Sequence, residues 1–274
     1  MSNECDTSKS NKDLLDGNLG EAPDFPWLGV LRIPLQQKNE PLRIAATGAV
    51  LVTFKHAVVN ADDVAKVSKD LLRNNGRLHM VTEAHQSWSY KLKDFTLHPE
   101  YEYATYNTIA LVELNLDYED QSDEDLLSRG DLKPICWPGK GFNTSNALYV
   151  TGFTDERLLL EKVVYKSLYV TKDICDEFYK RSSVKVDKMQ EPQHYLCVFA
   201  VNNTRNCNFD NGMALVSNAT GSWTWVGFGV SGPGCAAPAR FLDVSYYIDW
   251  IQTSTTDPSQ YDYYNHKEEP DSYT

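Results

Sequence analysis

Residues 207–216 read Cys-Asn-Phe-Asp-Asn-Gly-Met-Ala-Leu-Val and hold the chain's most informative group of candidate chemical side chains. A thiol-bearing residue, a carboxylate and a carboxamide stand close together here, at Cys207, Asp210 and Asn211. The carboxamide at the centre has no ionisable hydroxyl that a general base can activate. Acyl transfer from a serine-type nucleophile therefore cannot start at Asn211.

Short segments elsewhere in the chain occur in a fixed order, and together with residues 207–216 they resemble the trypsin-like serine proteases. In that family the corresponding active-site segment reads Cys-x-Gly-Asp-Ser-Gly-Gly-Pro-Leu-Val. The other segments are Phe25-Pro26-Trp27-Leu28, His98-Pro99-Glu100-Tyr101, Pro134-Ile135-Cys136-Trp137-Pro138, Val150-Thr151-Gly152-Phe153 and Tyr247-Ile248-Asp249-Trp250-Ile251. The resemblance covers about residues 14–252 and implies an all-β fold of two six-stranded antiparallel β-barrels with a short C-terminal helix.

The resemblance places other residue types at all three positions of the family's catalytic triad. Asn211 stands where the family has its serine, and Thr108 stands where it has the orienting aspartate. Counting forward without a gap places Asp62 at the histidine, and a shift of one residue would place Asp63 there. Neither carboxylate has the near-neutral pKa with which histidine takes and returns a proton at physiological pH. The resemblance therefore implies a degenerate triad.

Two further positions of the family's active site are also changed. Phe209 replaces the glycine whose N–H donates to the oxyanion, and we expect the aromatic side chain to crowd the oxyanion hole. Arg205 falls at the floor of the specificity pocket. A cationic floor excludes Lys and Arg side chains and admits at most an acidic one.

The junction at which family members are activated by cleavage corresponds to Asp13-Leu14, which offers no Lys or Arg to a trypsin-like activator. Residues 1–13 then form a segment that resembles a pro-segment tether. Asp210, which in the family pairs with the new N-terminus, is interpreted as part of the scaffold.

The six cysteines match three bridges of the family, and their even number suits an oxidising compartment. The implied pairs are Cys5–Cys136, Cys175–Cys197 and Cys207–Cys235. Thr47 and Asp63 stand at the two ends of the family bridge that encloses the catalytic histidine, so this bridge is missing. Sequons for N-glycosylation begin at Asn143, Asn202 and Asn218.

Composition and residue patterns fit this fold. The chain has 274 residues, of which 42% are hydrophobic and 12% aromatic, which is enough for a sizeable core. Helical patterns are confined to residues 243–252 and 172–181. Runs rich in β-branched and aromatic residues predict strands at 49–53, 108–114, 148–153, 159–170 and 223–230.

The net charge of −12 argues against a nucleic-acid partner, because phosphates require a basic surface. Acidic residues concentrate in 117–125 and in the tyrosine-rich tail 255–274, which we expect to be disordered. The run 117–125 lacks the glycine and the closing glutamate of a Ca²⁺ loop, so we expect no metal and no other cofactor. No stretch predicts a membrane span, and residues 1–13 contain no apolar run typical of a signal peptide.

The sequence thus predicts a protease-like domain at 14–254 that resembles the non-catalytic serine protease homologues of arthropod haemolymph, without their clip domain. Such secreted glycoproteins act as cofactors or adaptors for proteases and zymogens in extracellular cascades of innate immunity, including melanisation. Two alternatives remain open. One is an active hydrolase with a displaced catalytic set, and the other is a decoy or carrier that binds acidic peptides through Arg205.

Overall fold

The computed structural model describes most of the chain, and the following sections concern that part. The described residues are 5, 17–20, 25–35, 43–83, 86–103, 107–116, 133–139, 141–142, 148–154, 161–182, 193–201, 209, 211–219, 221–230, 235 and 237–256.

The first barrel is a closed antiparallel ring of six strands. In ring order the strands are β2 (Leu28–Leu35), β3 (Arg43–Thr53), β4 (His56–Asn60), β7 (Ile109–Leu114), β6 (Gln86–Leu97) and β5 (Arg77–Glu83). Val58 and Val59 of β4 are fully buried, as are Ile109 and Ala110 of β7, because both strands are covered on two sides. Two short helices, α1 (Ala61–Val64) and α2 (Lys69–Asn75), follow β4.

The second barrel is also a closed ring of six antiparallel strands. In ring order they are β8 (Leu148–Thr154), β9 (Glu161–Val170), β10 (Tyr195–Ala200), β13 (Ala239–Asp243), β12 (Thr224–Gly229) and β11 (Ala214–Ser217), and the β8–β9 pairing closes the ring. A further strand, β1 (Gly17–Gly20), pairs with β9. Helix α3 (Lys172–Arg181) connects β9 to β10.

The chain ends its described part in a 3-10 helix (Val244–Tyr246) and helix α4 (Ile248–Thr255). The predicted fold of two six-stranded antiparallel barrels with a short C-terminal helix is therefore confirmed. The five predicted strands overlap β3, β7, β8, β9 and β12, and the helix predicted at 172–181 is α3. In the helix predicted at 243–252, residue 243 belongs to β13 and regular α-helix begins only at residue 248. Helix α4 ends at Thr255, which is the residue at which the predicted C-terminal tail begins.

The aromatic core is continuous across the two barrels. Trp27 and Trp225 are fully buried, and the ring of Phe25 packs edge-on against Trp27 and against Trp223 at centroid distances of 5.4 and 5.0 Å. Phe25 has a positive φ of 60°, and its carbonyl oxygen accepts a hydrogen bond of 3.2 Å from the buried Lys162 ammonium. The segment Phe25–Trp27, which the family resemblance singled out, therefore contacts residues of both barrels.

The C-terminal helix is fixed to the first barrel by a polar and aromatic contact. The Tyr247 hydroxyl donates to Asn107 Oδ1 at 2.9 Å, and the His98 ring lies 5.4 Å from Tyr247 and 5.0 Å from Trp250, measured between centroids. Asn107 has a positive φ of 49° immediately before β7, which asparagine tolerates better than most residues. This contact holds the start of β7 in place.

Disulfides connect distant parts of the chain. Cys5 is bonded to Cys136, and Cys175 is bonded to Cys197, as the family resemblance implies. Cys235 is also disulfide-bonded, and its expected partner Cys207 lies outside the described residues. None of the described helices has the length and apolar character needed to cross a membrane.

The barrels approach each other closely at two glycines. A Cβ atom on Gly48 of β3 would lie 2.6 Å from the carbonyl oxygen of Gly212, and a Cβ on Gly212 would lie 2.5 Å from that of Gly48. Gly212 also has a φ of +81°, which favours glycine. Both positions therefore require a residue without a side chain.

We predict that Gly48→Ala lowers the free energy of unfolding by about 1–3 kcal/mol, because the added methyl group overlaps backbone that cannot move independently of its barrel. Urea unfolding monitored by tryptophan fluorescence measures this change. Gly139→Ala is the control, since a Cβ there meets nothing within 4 Å, and it should change stability by less than about 0.5 kcal/mol. Equal stability of the two variants would contradict the close approach of the barrels.

Candidate functional site

Two of the three candidate triad positions lie side by side at one end of the first barrel. Asp62 belongs to α1, which begins directly after β4, and the side chain of Asn60 caps this helix by accepting a hydrogen bond of 2.8 Å from Asp62 N–H. Thr108 immediately precedes β7, and its carbonyl oxygen accepts from Ala61 N–H at 3.1 Å. The β4–β7 pairing thus brings the positions of Asp62 and Thr108 together.

The third position lies on the second barrel and faces the first. Asn211 precedes Gly212, whose backbone touches Gly48 of β3. The turn is fixed by hydrogen bonds from Gly212 N–H to Gly229 oxygen at 3.1 Å and from Gly229 N–H to Met213 oxygen at 2.7 Å. Asn211 is half-buried, and its Oδ1 is buried without a hydrogen-bond partner in the structure as described. The turn places Asn211 at the junction between the barrels.

The Asp62 carboxylate is engaged by a tyrosine. The Tyr101 hydroxyl donates to Asp62 Oδ1 at 2.7 Å. Burial raises the pKa of Tyr101 above its usual value, and the hydrogen bond to Asp62 and the negative charge of that residue raise it further. The phenol therefore stays protonated and keeps donating to the carboxylate. In the sequence, Tyr101 stands out only as part of the family segment His98-Pro99-Glu100-Tyr101. The replacement of histidine by an aspartate is the signal that could have suggested a tyrosine as its hydrogen-bond partner.

Asp63 lies near Thr47 of β3, although the buried Thr47 hydroxyl forms no hydrogen bond within the described structure. Burial raises the pKa of Asp63, and the nearby Thr47 hydroxyl and Lys66 ammonium oppose this shift. Thr47 and Asp63 are the positions that the family resemblance assigns to the missing bridge. Their proximity favours the alignment without a gap, in which Asp62 replaces the histidine, and that assignment stays a prediction.

Phe209 lies differently from what the sequence suggested. Its side chain is 6% exposed and packs inside the second barrel, with its ring centroid 5.8 Å from that of Tyr165 and 6.0 Å from that of Phe241. The same apolar cluster contains Cys235 and Ala239. Burial of an aromatic ring in this core is more favourable than exposure at a polar cleft, so Phe209 fills the barrel interior instead of crowding the cleft.

Several residues that the sequence singled out lie outside the described part of the chain. They are Arg205, Cys207, Asp210, Asn143, Asn202, the acidic run 117–125 and residues 257–274. Asn218, the remaining sequon, is half-buried in the turn after β11, where its carbonyl oxygen accepts from Gly221 N–H at 3.0 Å. Within the described ranges, no three His, Cys, Asp or Glu residues are grouped so that they would hold a metal ion.

A family model described as Trypsin matches residues 16–251. The chain belongs to the trypsin family. The match extends over both barrels and includes Asp62, Thr108 and Asn211. Asp62 and Thr108 lie at one end of the first barrel, and Asn211 directly precedes the glycine that contacts Gly48 of that barrel.

The chemistry available in this trypsin-family cleft is mainly that of acceptors. Asp62 and Asp63 contribute carboxylates, and Asn211 contributes a buried amide oxygen. The nearest phenol, Tyr101, donates to Asp62. None of these three acceptor residues supplies a hydroxyl or thiol nucleophile.

We predict that Thr47→Cys combined with Asp63→Cys restores a disulfide between β3 and α1. Since the bridge closes a short loop, it should raise the free energy of unfolding by about 3 kcal/mol. Mass spectrometry with and without reduction detects the bond, and thermal unfolding measures the gain.

The matched control combines Thr47→Cys with Asp62→Cys. This pair should stay reduced, because the Asp62 side chain is directed to the Tyr101 hydroxyl. Bridge formation in the control, but not in the first pair, would contradict the alignment that places Asp62 at the histidine and Asp63 at the bridge.

Proposed function

We propose that this member of the trypsin family is a catalytically inactive serine protease homologue that acts by binding other proteins. The observation that carries the proposal is the pairing of Asp62 with Tyr101 at the position of the general base. An aspartate that is hydrogen-bonded to a high-pKa phenol does not replace an imidazole that cycles between two protonation states near neutral pH.

Two other features support inactivity. Asn211 provides a carboxamide where acyl transfer needs a nucleophile, and a buried carboxamide oxygen only accepts hydrogen bonds. Phe209 stands where the resemblance places the oxyanion glycine, and its side chain is held in the core of the second barrel. The two replacements concern separate parts of the mechanism of serine proteases.

The scaffold, in contrast, is complete. Both barrels close, the aromatic core spans them, and the disulfides Cys5–Cys136 and Cys175–Cys197 are formed. Disulfides of this kind persist in oxidising compartments, which supports secretion and an extracellular role. A stable fold without catalytic groups suits a cofactor or adaptor in a protease cascade, with innate immunity as the setting that the resemblance suggests.

Charge indicates the chemistry of the partner. The chain carries −12 formal charges, and its acidic residues concentrate in 117–125 and 255–274. A basic protease or zymogen would be attracted to these segments, and the association rate would fall with added salt.

Activity-based labelling tests the inactivity. A fluorophosphonate probe should not label the protein, whereas an active trypsin-family protease assayed in parallel is labelled at its serine. Affinity capture from the extracellular fluid of the source organism should recover specific proteases or zymogens. Covalent labelling of any serine of this chain would favour the alternative of an active hydrolase with a displaced catalytic set.

We predict that Asn211→Ser alone restores no hydrolysis of a peptide ester above the buffer rate, because the base and its orienting acid are still missing at Asp62 and Thr108. Members of a catalytic triad act as a unit, so a single restored member gains little. Initial rates over pH 6–9 measure the outcome, and Asn218→Ser serves as a matched control for the substitution itself. Turnover by Asn211→Ser alone would show that the residues assigned to the triad are wrong.

A further inference from the structure

A cavity of about 510 Å³ lies between the second barrel and the start of helix α4. Its described lining comes from residues 138–142, from β12 and from the chain between Asp243 and Gln252. None of the three candidate triad positions belongs to this described lining. The volume is typical of protein pockets that enclose a ligand; we call this cavity the α4 pocket.

One part of the lining of the α4 pocket is apolar. Val226 of β12 is 2% exposed and belongs to the apolar cluster of the second barrel, and Phe142 packs against the same cluster. Ile248, the first residue of α4, is half-buried and adds an aliphatic side chain. Methylene groups or an aromatic ring of a ligand would be removed from water on this surface, which favours binding.

The polar part of the lining is acidic. Asp243 Oδ1 accepts hydrogen bonds from the backbone N–H and the hydroxyl of Ser245 at 3.0 and 2.7 Å, which hold this carboxylate in place. Asp249 is exposed in the first turn of α4, and the amide of Gln252 follows one turn later on the same helix. Within the described residues neither aspartate forms an ion pair, and the described lining contains no Lys, Arg or His.

The electrostatic balance of the α4 pocket favours a cation. The N-terminus of α4 contributes about half a positive elementary charge, which is less than the two negative charges of Asp243 and Asp249. The field of Asp243 also acts on Tyr247, because burial raises the pKa of that phenol and the charges of Asp243 and Glu100 raise it further. A positively charged ligand is therefore preferred to a neutral or an anionic one.

We propose that the α4 pocket binds an arginine or lysine side chain of a protein partner, with the cationic group near Asp243 and Asp249. Such a side chain combines an aliphatic stem with a charged end, as the two parts of the lining require. An apolar residue next to it in the partner packs on Phe142, Val226 and Ile248. A free amine would fill only a small part of the cavity, which favours a segment of a protein.

This inference rests on the proposed function, since it names the place on the chain at which a protein partner is recognised. It assigns recognition to a pocket built from the second barrel and α4, and not to the cleft around Asp62. Catalytic inactivity and recognition in the α4 pocket can therefore be tested separately.

A peptide probe tests the proposal on the full chain. The tripeptide Phe-Arg-Leu, acetylated and amidated at its ends, should bind, as measured by saturation-transfer NMR of the peptide. The same peptide with citrulline in place of arginine should bind about tenfold more weakly, because citrulline keeps the shape of the side chain but has no charge to pair with a carboxylate. Added salt of about 0.5 M should weaken binding of the arginine peptide, because it screens this attraction.

Two variants at similar positions provide a matched comparison. Asp249→Asn should weaken binding of the arginine peptide about fivefold, because it removes one exposed charge. Asp173→Asn should leave binding unchanged, although Asp173 is also an exposed aspartate in the first turn of a helix, α3. Asp243→Asn should weaken binding as well, and its amide oxygen can still accept from Ser245. Circular dichroism checks that each variant keeps the fold.

Photo-crosslinking locates the bound peptide. With p-benzoylphenylalanine in place of its phenylalanine, irradiation should give crosslinks that map to residues 138–142 and 243–252. Crosslinks that map to other surfaces would overturn the proposal. Equal binding of the arginine and citrulline peptides, or equal effects of Asp249→Asn and Asp173→Asn, would also overturn it.

Two further variants exclude other occupants and other sites. Lys140 stands in the sequence between Gly139 and Gly141 of the lining and lies outside the described residues. If Lys140→Ala binds the peptide and the unchanged protein does not, the chain's own lysine is the occupant and the proposal fails. If Asp62→Asn abolishes binding and Asp249→Asn does not, the peptide lies in the cleft, which also contradicts the proposal.

Failure of the pocket and failure of the proposed inactivity give different results. Absence of peptide binding would leave the result of fluorophosphonate labelling unchanged. Hydrolysis of the arginine peptide during the NMR measurement would contradict the inactivity, whereas the crosslinks and the Asp249→Asn comparison would still decide whether the α4 pocket is the binding site.

Discussion

The contact between Gly48 and Gly212 is the constraint on which the cleft depends. At this point the two barrels meet backbone to backbone, with no room for a side chain on either residue. Thr47 directly precedes Gly48, and Asn211 directly precedes Gly212, so the contact fixes how the two halves of the cleft face each other. The distance between residues of different barrels is therefore set by backbone packing and does not depend on which side chains line the cleft.

This separation of scaffold and chemistry explains how a family fold survives the loss of its catalytic groups. The residues that hold the barrels together are glycines and buried aromatic side chains, such as Trp27 and Phe25. The residues that would perform chemistry sit on the ends of strands, where they contribute little to the core. Replacing them changes hydrogen-bond partners, as with Asp62 and Tyr101, but leaves the ladder of β4 and β7 intact.

Much of the fold and part of the site could be predicted from sequence, for physical reasons that differ between residues. Runs such as 148–153 and 223–230 predict strands because their β-branched and aromatic residues suit a pleated sheet. The family order of short segments predicts that Asp62, Thr108 and Asn211 share one cleft, and the structure places the Asp62 and Thr108 segments side by side. The direction of the Phe209 ring could not be predicted, because it depends on space beside Tyr165 and Phe241, which belong to strands far away in the sequence. The same holds for the hydrogen bond from Tyr101 to Asp62, which joins residues 39 positions apart.

The Cys5–Cys136 bridge has a mechanical consequence. Its sequence separation of 131 residues means that the closed covalent loop contains every strand of the first barrel, from Leu28 to Leu114. Tension applied between the two chain ends therefore passes from residue 5 directly to residue 136 and bypasses the first barrel. Cys136 is also held next to Thr224, and its carbonyl oxygen accepts from Trp225 N–H at 2.8 Å, so the load enters at β12 in the core of the second barrel. Under stretching, the second barrel bears the force, and the first cannot be extended until the bridge is reduced.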